Sequence, residues 1–345
     1  IAYQVYKDTV SELAEAGMEM TVDTPKDDIV AQKAKIQEAI AVMNSSAAKY
    51  AELATLNDEI GTFLSEGGNA TEALEALLAD CGDEDGTSID DLLITNQSLD
   101  NDQLDEYMGK LKTELELSRK QSIGVGTDLT YLLKNPTFDS GNGDGWTGAT
   151  VVDASWKNCE AYQKEFDMYQ EFVAPQDGVY EISAQAMQRV TWNEATATAH
   201  ENGSEDITAV LYANNMESKF ASPFTYGVTE GEKADNEYKY TTPDGEEVYI
   251  PNSMKGFANA CEKNPEAYKT TVTILLKAGE TVRMGVRETK RPSANAGDWA
   301  IWDNFRMKFL GGDQEAIDKV SAPIIEQGTT LLDSKMNAEV RATLE

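Results

Sequence analysis

Sulfur and imidazole chemistry are almost absent from this chain, whose 345 residues include three cysteines and one histidine. Cys81, Cys159 and Cys261 lie far apart, and none has a second cysteine two or three positions away. That spacing excludes a zinc-finger type of site, and an odd count cannot close a disulfide framework. A Cys159–Cys261 bridge and buried thiols both stay open. His200 falls in the polar stretch 199–203, which reads as a solvated loop. No G-x-S-x-G or comparable context supplies a nucleophile for it. A P-loop and a dinucleotide-binding glycine pattern are missing as well. No run of eighteen apolar residues occurs, so no segment reads as a membrane-spanning helix.

Positive charge is also scarce: 29 Lys and Arg stand against 61 Asp and Glu, for a net charge of −32. Such a field repels nucleic acid and anionic membranes alike and excludes them as partners. So many acids leave a carboxylate pair for glycoside hydrolysis arithmetically available. Most of them, however, fall on the solvated faces of helical segments. The sequence therefore reads as non-catalytic, with a glycoside hydrolase ranked below a binding or spacer role.

What is present divides the chain by composition. Residues 1–125 are rich in Ala, Leu, Glu, Lys and Asp, with apolar residues three and four apart. Ile36, Ile40 and Met43 share one helical face, as do Leu74, Leu77 and Leu78. Thr24-Pro25 reads as a helix start, and residues 100–121 as a helix ending before Gly124 and Gly126. Three or four such helices must bundle, because none buries its stripe alone. A bundle also offers faces to protein partners. Residues 312–345 return to the helical habit after Gly311-Gly312. The segment 335–340 loosely echoes residues 19–23, so the tail either packs back or opens a further helical unit.

Between them, residues 126–311 are strand-like. The aromatic run 166–172, the turn Ala174-Pro175-Gln176-Asp177-Gly178 and the run 179–184 read as an antiparallel pair. Residues 270–276 and 281–287, joined by Lys277-Ala278-Gly279-Glu280, read as a second hairpin, and 208–214 as a further strand. Two stretches stand out. Asn135-Pro136-Thr137-Phe138-Asp139 runs on through a Gly-rich turn to Gly145-Trp146. Residues 299–309 read W-A-I-W-D-N-F-R-M-K-F, with Asp303-Asn304 in mid-strand, where both residue types are depleted. Together they resemble the first and last strands of galactose-binding-domain-like β-sandwiches. That jelly roll is used by many carbohydrate-binding modules and by surface proteins of glycan-degrading gut bacteria.

The resemblance implies an antiparallel sandwich, a glycan partner and an extracellular or cell-surface setting. It also implies a structural calcium, with Asp139 and Asp303 at positions that resemble its ligands and Asn142, Asp144 and Asn304 nearby. Hydrogen-bonded turn and strand ends are the alternative reading of those residues. From the residues themselves, a sugar site wants an aromatic plane beside planar donors. Trp156, Arg189, Trp192, Tyr226, Arg287 and Arg291 supply both, with Arg189, Trp192, Arg287 and Arg291 at strand ends that run into long polar loops, whereas Trp146, Trp299 and Trp302 read as core. The expected function is a non-catalytic carbohydrate-binding module of a larger protein, the alternative a structural, adhesive or protein-interaction spacer.

Overall fold

The computed structural model describes residues 2–79, 89, 96–148, 151–234, 237–293 and 296–333. Cys81, the acidic break at 81–87 and the echo at 335–340 lie outside the described residues. The chain divides into two compact units, 1–123 and 124–345, each described by itself.

The first unit is helical: α1 (Ala2–Met18), α2 (Lys26–Ser65), α3 (Glu72–Ala79) and α4 (Asn101–Gln121). Its core gathers Tyr50, Leu53, Leu56 and Ile60 of α2, Leu74 and Leu78 of α3, and Leu104, Met108, Leu111 and Leu115 of α4. This is the three-and-four spacing of the sequence made into a shared interior. Asp100 starts α4 with a capping box, accepting from the Asp102 and Gln103 amides while Gln103 bonds back. The α2 start differs from the expectation: Pro25 takes the cap position with no side-chain cap. Thr24 Oγ1 instead accepts from the Thr21 amide at 2.9 Å. The face of Ile36, Ile40 and Met43 stays outside the buried core, and Ile36 lies beside Gly17 of α1. Gln32 of this stretch donates to the Leu13 carbonyl at 2.7 Å, and Ile40 remains 37% exposed.

The second unit is built on antiparallel sheets. Five strands run in the order β1 (Val151–Val152), β2 (Cys159–Tyr162), β11 (Trp299–Gly311), β4 (Gly178–Arg189) and β9 (Lys269–Leu276). Four more run β3 (Phe166–Val173), β10 (Thr281–Glu288), β5 (Val210–Ala213) and β6 (Met216–Lys219). The two sheets meet through aromatics, with Phe166 stacked on Trp302 at 4.8 Å and Phe172 beside Tyr180 at 6.5 Å. Helix α5 (Asn193–Glu201) follows β4, and α7 (Gln314–Asp333) follows β11. The pair β7 (Tyr238–Thr241) and β8 (Glu247–Ile250), with α6 (Met254–Lys263), forms an insertion. It packs Phe257, Ala260 and Tyr249 over Met187, Trp299 and Ile301 on the outer face of the larger sheet. Hence β4 is buried on both faces for most of its length and shows no period-two alternation.

Three expectations are corrected here. Strands β3 and β4 are not a hairpin: β3 pairs with β10 in one sheet, and β4 with β11 and β9 in the other. Likewise β9 and β10 lie in different sheets, so both turns carry the chain from sheet to sheet. Turn chemistry specifies a reversal but not the partner that each flanking strand meets. The Asn135–Asp139 stretch is irregular rather than a strand, with Asn135 and Phe138 at positive φ. It lies beside β11, where the Phe305 amide donates to the Pro136 carbonyl at 3.0 Å.

Candidate ligand-binding site

Trp192 is the side chain best disposed to meet a ligand. It precedes α5, is 57% exposed, and lies against Gly297, whose φ of 75° and tight fit leave no room for a side chain. A Cβ there would stand 2.7 Å from the Trp192 ring. One part of the indole is therefore braced by backbone while much of it faces solvent. Arg189, ending β4, does not reach out beside it. The guanidinium is buried: Nε donates to the Gly297 carbonyl at 3.0 Å, and Nη1 donates to Asn193 and Asn252. It also stacks 5.5 Å from the Trp299 ring centroid. Burial pulls its pKa below the usual arginine value, with nearby Tyr162, Asp298 and Glu160 opposing. Arg189 is thus a positioning residue that holds the brace under Trp192. Thr191 adds a second tie, donating from Oγ1 to the Ala296 carbonyl at 2.8 Å.

Arg291 is joined to Asp298 through Nε at 3.0 Å and Nη2 at 2.5 Å, which tethers the loop between β10 and β11. Arg287 lies elsewhere, on the smaller sheet, paired with Glu217 at 2.9 Å and set over the Tyr212 ring. The structure therefore brings Arg189, Trp192 and Arg291 to one edge and leaves Arg287 out. Trp156 is 40% exposed. Its amide donates to Asp153 Oδ1 at 2.8 Å in a tight turn, and Lys255 stands 5.6 Å from its ring. Tyr226 is half-buried against Tyr268, whose hydroxyl donates to the Tyr226 carbonyl at 2.6 Å. Trp146, Trp299 and Trp302 are core.

Sequence reading passed over Tyr162 and Gly297. Tyr162 is 45% exposed and lies directly across from Trp299, which in turn lies across from Arg189. Residues opposite one another in antiparallel strands share a face, so Tyr162, Trp299 and Arg189 form one row. No local signal marks Tyr162, because the row exists only through the β2–β11–β4 register. A glycine just before an aromatic strand was the available signal for Gly297.

Asp139 and Asp303 are close enough to influence each other's charge. Burial, before the Asp139 charge, pushes Asp303 up to about 8. Asp303 accepts from the Asn304 amide at a bulge where Asn304 has φ 53°. Asp139 is drawn down, first by the Thr137 hydroxyl at 2.5 Å and then by Lys157 at 3.2 Å. Calcium takes six to eight oxygens, yet among the described residues no three His, Cys, Asp or Glu side chains converge. The Asn142 oxygens are engaged within their own turn. These donors alone do not form a calcium shell.

A cavity of about 420 Å³ opens on the outer face of β4 and β11, lined by Glu181, Ser183, Gln185, Lys269, Asn304 and Arg306 among others. No aromatic ring lines it, so it lacks a stacking surface. His200 is a correction. It sits in α5 rather than a loop, with Nδ1 2.8 Å from Glu205 and 3.2 Å from the Ser222 hydroxyl. Both contacts use the same ring nitrogen, and Ser222 donates directly to Glu205 at 2.7 Å. A relay needs base and orienter on opposite nitrogens, so this trio does not activate serine. Cys159 and Cys261 are buried and form no disulfide.

No protein-family model matches the chain. No curated protein matches it either. Among solved structures, the CBM22-1 xylan-binding domain of Paenibacillus barcinonensis Xyn10C is similar at 12% identity. That alignment covers 55% of this chain and 99% of the domain, with a TM-score of 0.25. The β-glucosidase of Kluyveromyces marxianus aligns at 11% identity over 48% of this chain and 13% of its own, with a TM-score of 0.16. The same enzyme in complex with glucose aligns at 12% over 50% and 14%, again with a TM-score of 0.16. Scores this low carry no argument about function; the sandwich stands on its own strand pairing.

Proposed function

We propose that the second unit is a non-catalytic carbohydrate-binding module that stacks a sugar ring on Trp192. The observation that carries this is the exposed indole, held by Gly297 and Arg189 rather than left to swing. A pre-set aromatic plane lowers the ordering cost of binding the C–H face of a pyranose. Donors around it come from backbone and amide groups such as Asn193, since the arginines are committed to the fold. A single stacked ring supports weak affinity, in the millimolar to high-micromolar range, about −4 to −6 kcal/mol. Calorimetric titration across a glycan panel tests it. Trp192→Ala should lower affinity by about tenfold or more with an unchanged circular dichroism spectrum. Unaltered binding by that variant would refute the site.

A calcium ion at Asp139 and Asp303 remains a separate proposal. It would displace Lys157 and take its remaining oxygens from backbone and water. The alternative, an interaction module, draws on the helical unit, where α1 buries no side chain fully. An extracellular or cell-surface setting, as part of a larger protein, fits the module reading.

A further inference from the structure

We infer that the ligand of this edge is a neutral, linear oligosaccharide laid from β2 across toward the exit of β4, not a single sugar ring. The inference rests on the carbohydrate-binding reading above and adds the ligand's length, direction and charge. The strand register sets the direction. Strands β2 and β4 both run antiparallel to β11, hence parallel to each other, and Tyr162, Trp299 and Arg189 lie in one row across them. Trp192 lies three residues beyond that row, past the end of β4, while Trp156 lies six residues before it on the β2 side. The exposed aromatics thus follow the order Trp156, Tyr162, Trp192 along one direction, each 40% or more exposed.

Strands β2 and β4 stand on either side of β11, about 9–10 Å apart at the usual strand spacing, and Trp192 lies three residues past the row, while Trp156 sits in the turn before β2. Tyr162 and Trp192 are thus set apart by more than one sugar ring. Each aromatic is anchored at its own place in the fold. Trp156 is held by the Asp153 turn and Lys255, and Trp192 by Gly297. Tyr162 is held by β2 pairing, and the next amide, Gln163, donates to the Asp298 carbonyl at 3.1 Å. Separated stacking planes suit successive rings of one chain.

The charges at this edge select against acidic glycans. Arg189 is buried among carbonyl and amide oxygens, and Arg291 is held by Asp298. Glu160 lies on the same face as the row and accepts from Trp299 Nε1 at 2.6 Å. Lys255 is set over Trp156. A uronate or sulfate chain would meet Glu160 inside a field set by the net charge of −32.

The test is calorimetric titration of the full chain with xylo-, cello-, manno- and malto-oligosaccharides, from one ring to about six, with oligogalacturonates as the acidic arm. In at least one neutral series, affinity should rise about tenfold or more from the single ring to the four-ring chain. Trp156→Ala should abolish the gain with length while leaving single-ring binding, and Tyr162→Ala should reduce it. Trp192→Ala should remove both. Should Trp156→Ala lose its folded spectrum, Trp156→Gln replaces it. Equal affinity for one ring and the longest chain would overturn the chain inference while the carbohydrate reading stands. Tighter binding of oligogalacturonates would overturn its neutrality. No binding of any glycan at any length would remove the carbohydrate reading itself.

Discussion

Asp303 is a carboxyl in mid-strand, and its neighbours decide whether it holds a proton or a cation. Burial comes first among the causes that raise it to about 8, with Asp139 adding like charge and Arg306 opposing. The ordinary value of an unfolded aspartate is about 3.9. Between these two values the folded state binds the extra proton. Stability from this group is therefore full below about pH 4 and declines as pH rises to about 8. Asp303→Asn should flatten that slope and melt above the wild type at pH 9, as thermal denaturation across pH would read. With calcium at the Asp139–Asp303 pair, added calcium should raise the wild-type melting temperature near pH 7, because a ligand of the native state stabilises it. The Asn variant should lose that response. An unchanged melting temperature in calcium and in chelator would leave the proton as the occupant.

At the scale of elements, the segment joining β10 to β11 governs the site. It is tied to β4 and its exit through Arg189 and Thr191, and to itself through Arg291 and Asp298. Gly297 is the point where this segment touches Trp192, in a left-handed backbone conformation. Gly297→Ala places a methyl against the indole and strains the backbone by about 1–2 kcal/mol. Its expected outcome is a modest drop in stability, a larger accessibility of Trp192 to a fluorescence quencher, and weaker glycan binding. A variant that keeps wild-type affinity would show that the brace does not set the plane. The β11 bulge has a comparable local role. It carries the register shift between Asp303 and Arg306 and leaves Asp303 in the buried row opposite Gln185.

For the whole molecule, two units each bury their own apolar cluster, one among helices and one between and outside sheets. Each has the interior needed for cooperative unfolding. Separate expression of residues 1–123 and 124–345 should give two folded proteins with distinct melting transitions by calorimetry, and glycan binding should follow the second. Unfolded fragments would show that neither interior suffices alone.

Composition and periodicity by themselves determined that helices precede a strand-rich stretch and that Trp146, Trp299 and Trp302 are interior. Those features follow from local propensity and from apolar spacing, which every short window carries. Pairing was decided only by tertiary structure. The turns after β3 and β9 look like hairpin turns, yet each leads into the opposite sheet, because side-chain burial on two faces outweighs the local preference for a reversal. The candidate site shows the same division. Trp192 and Trp156 are legible as aromatics in polar surroundings. The burial of Arg189, the departure of Arg287 to the other sheet, and the alignment of Tyr162 with Trp192 depend on strand register. Register is a contact between segments up to some 140 positions apart in sequence, as in the Tyr162–Trp299 pair, and no local pattern encodes it.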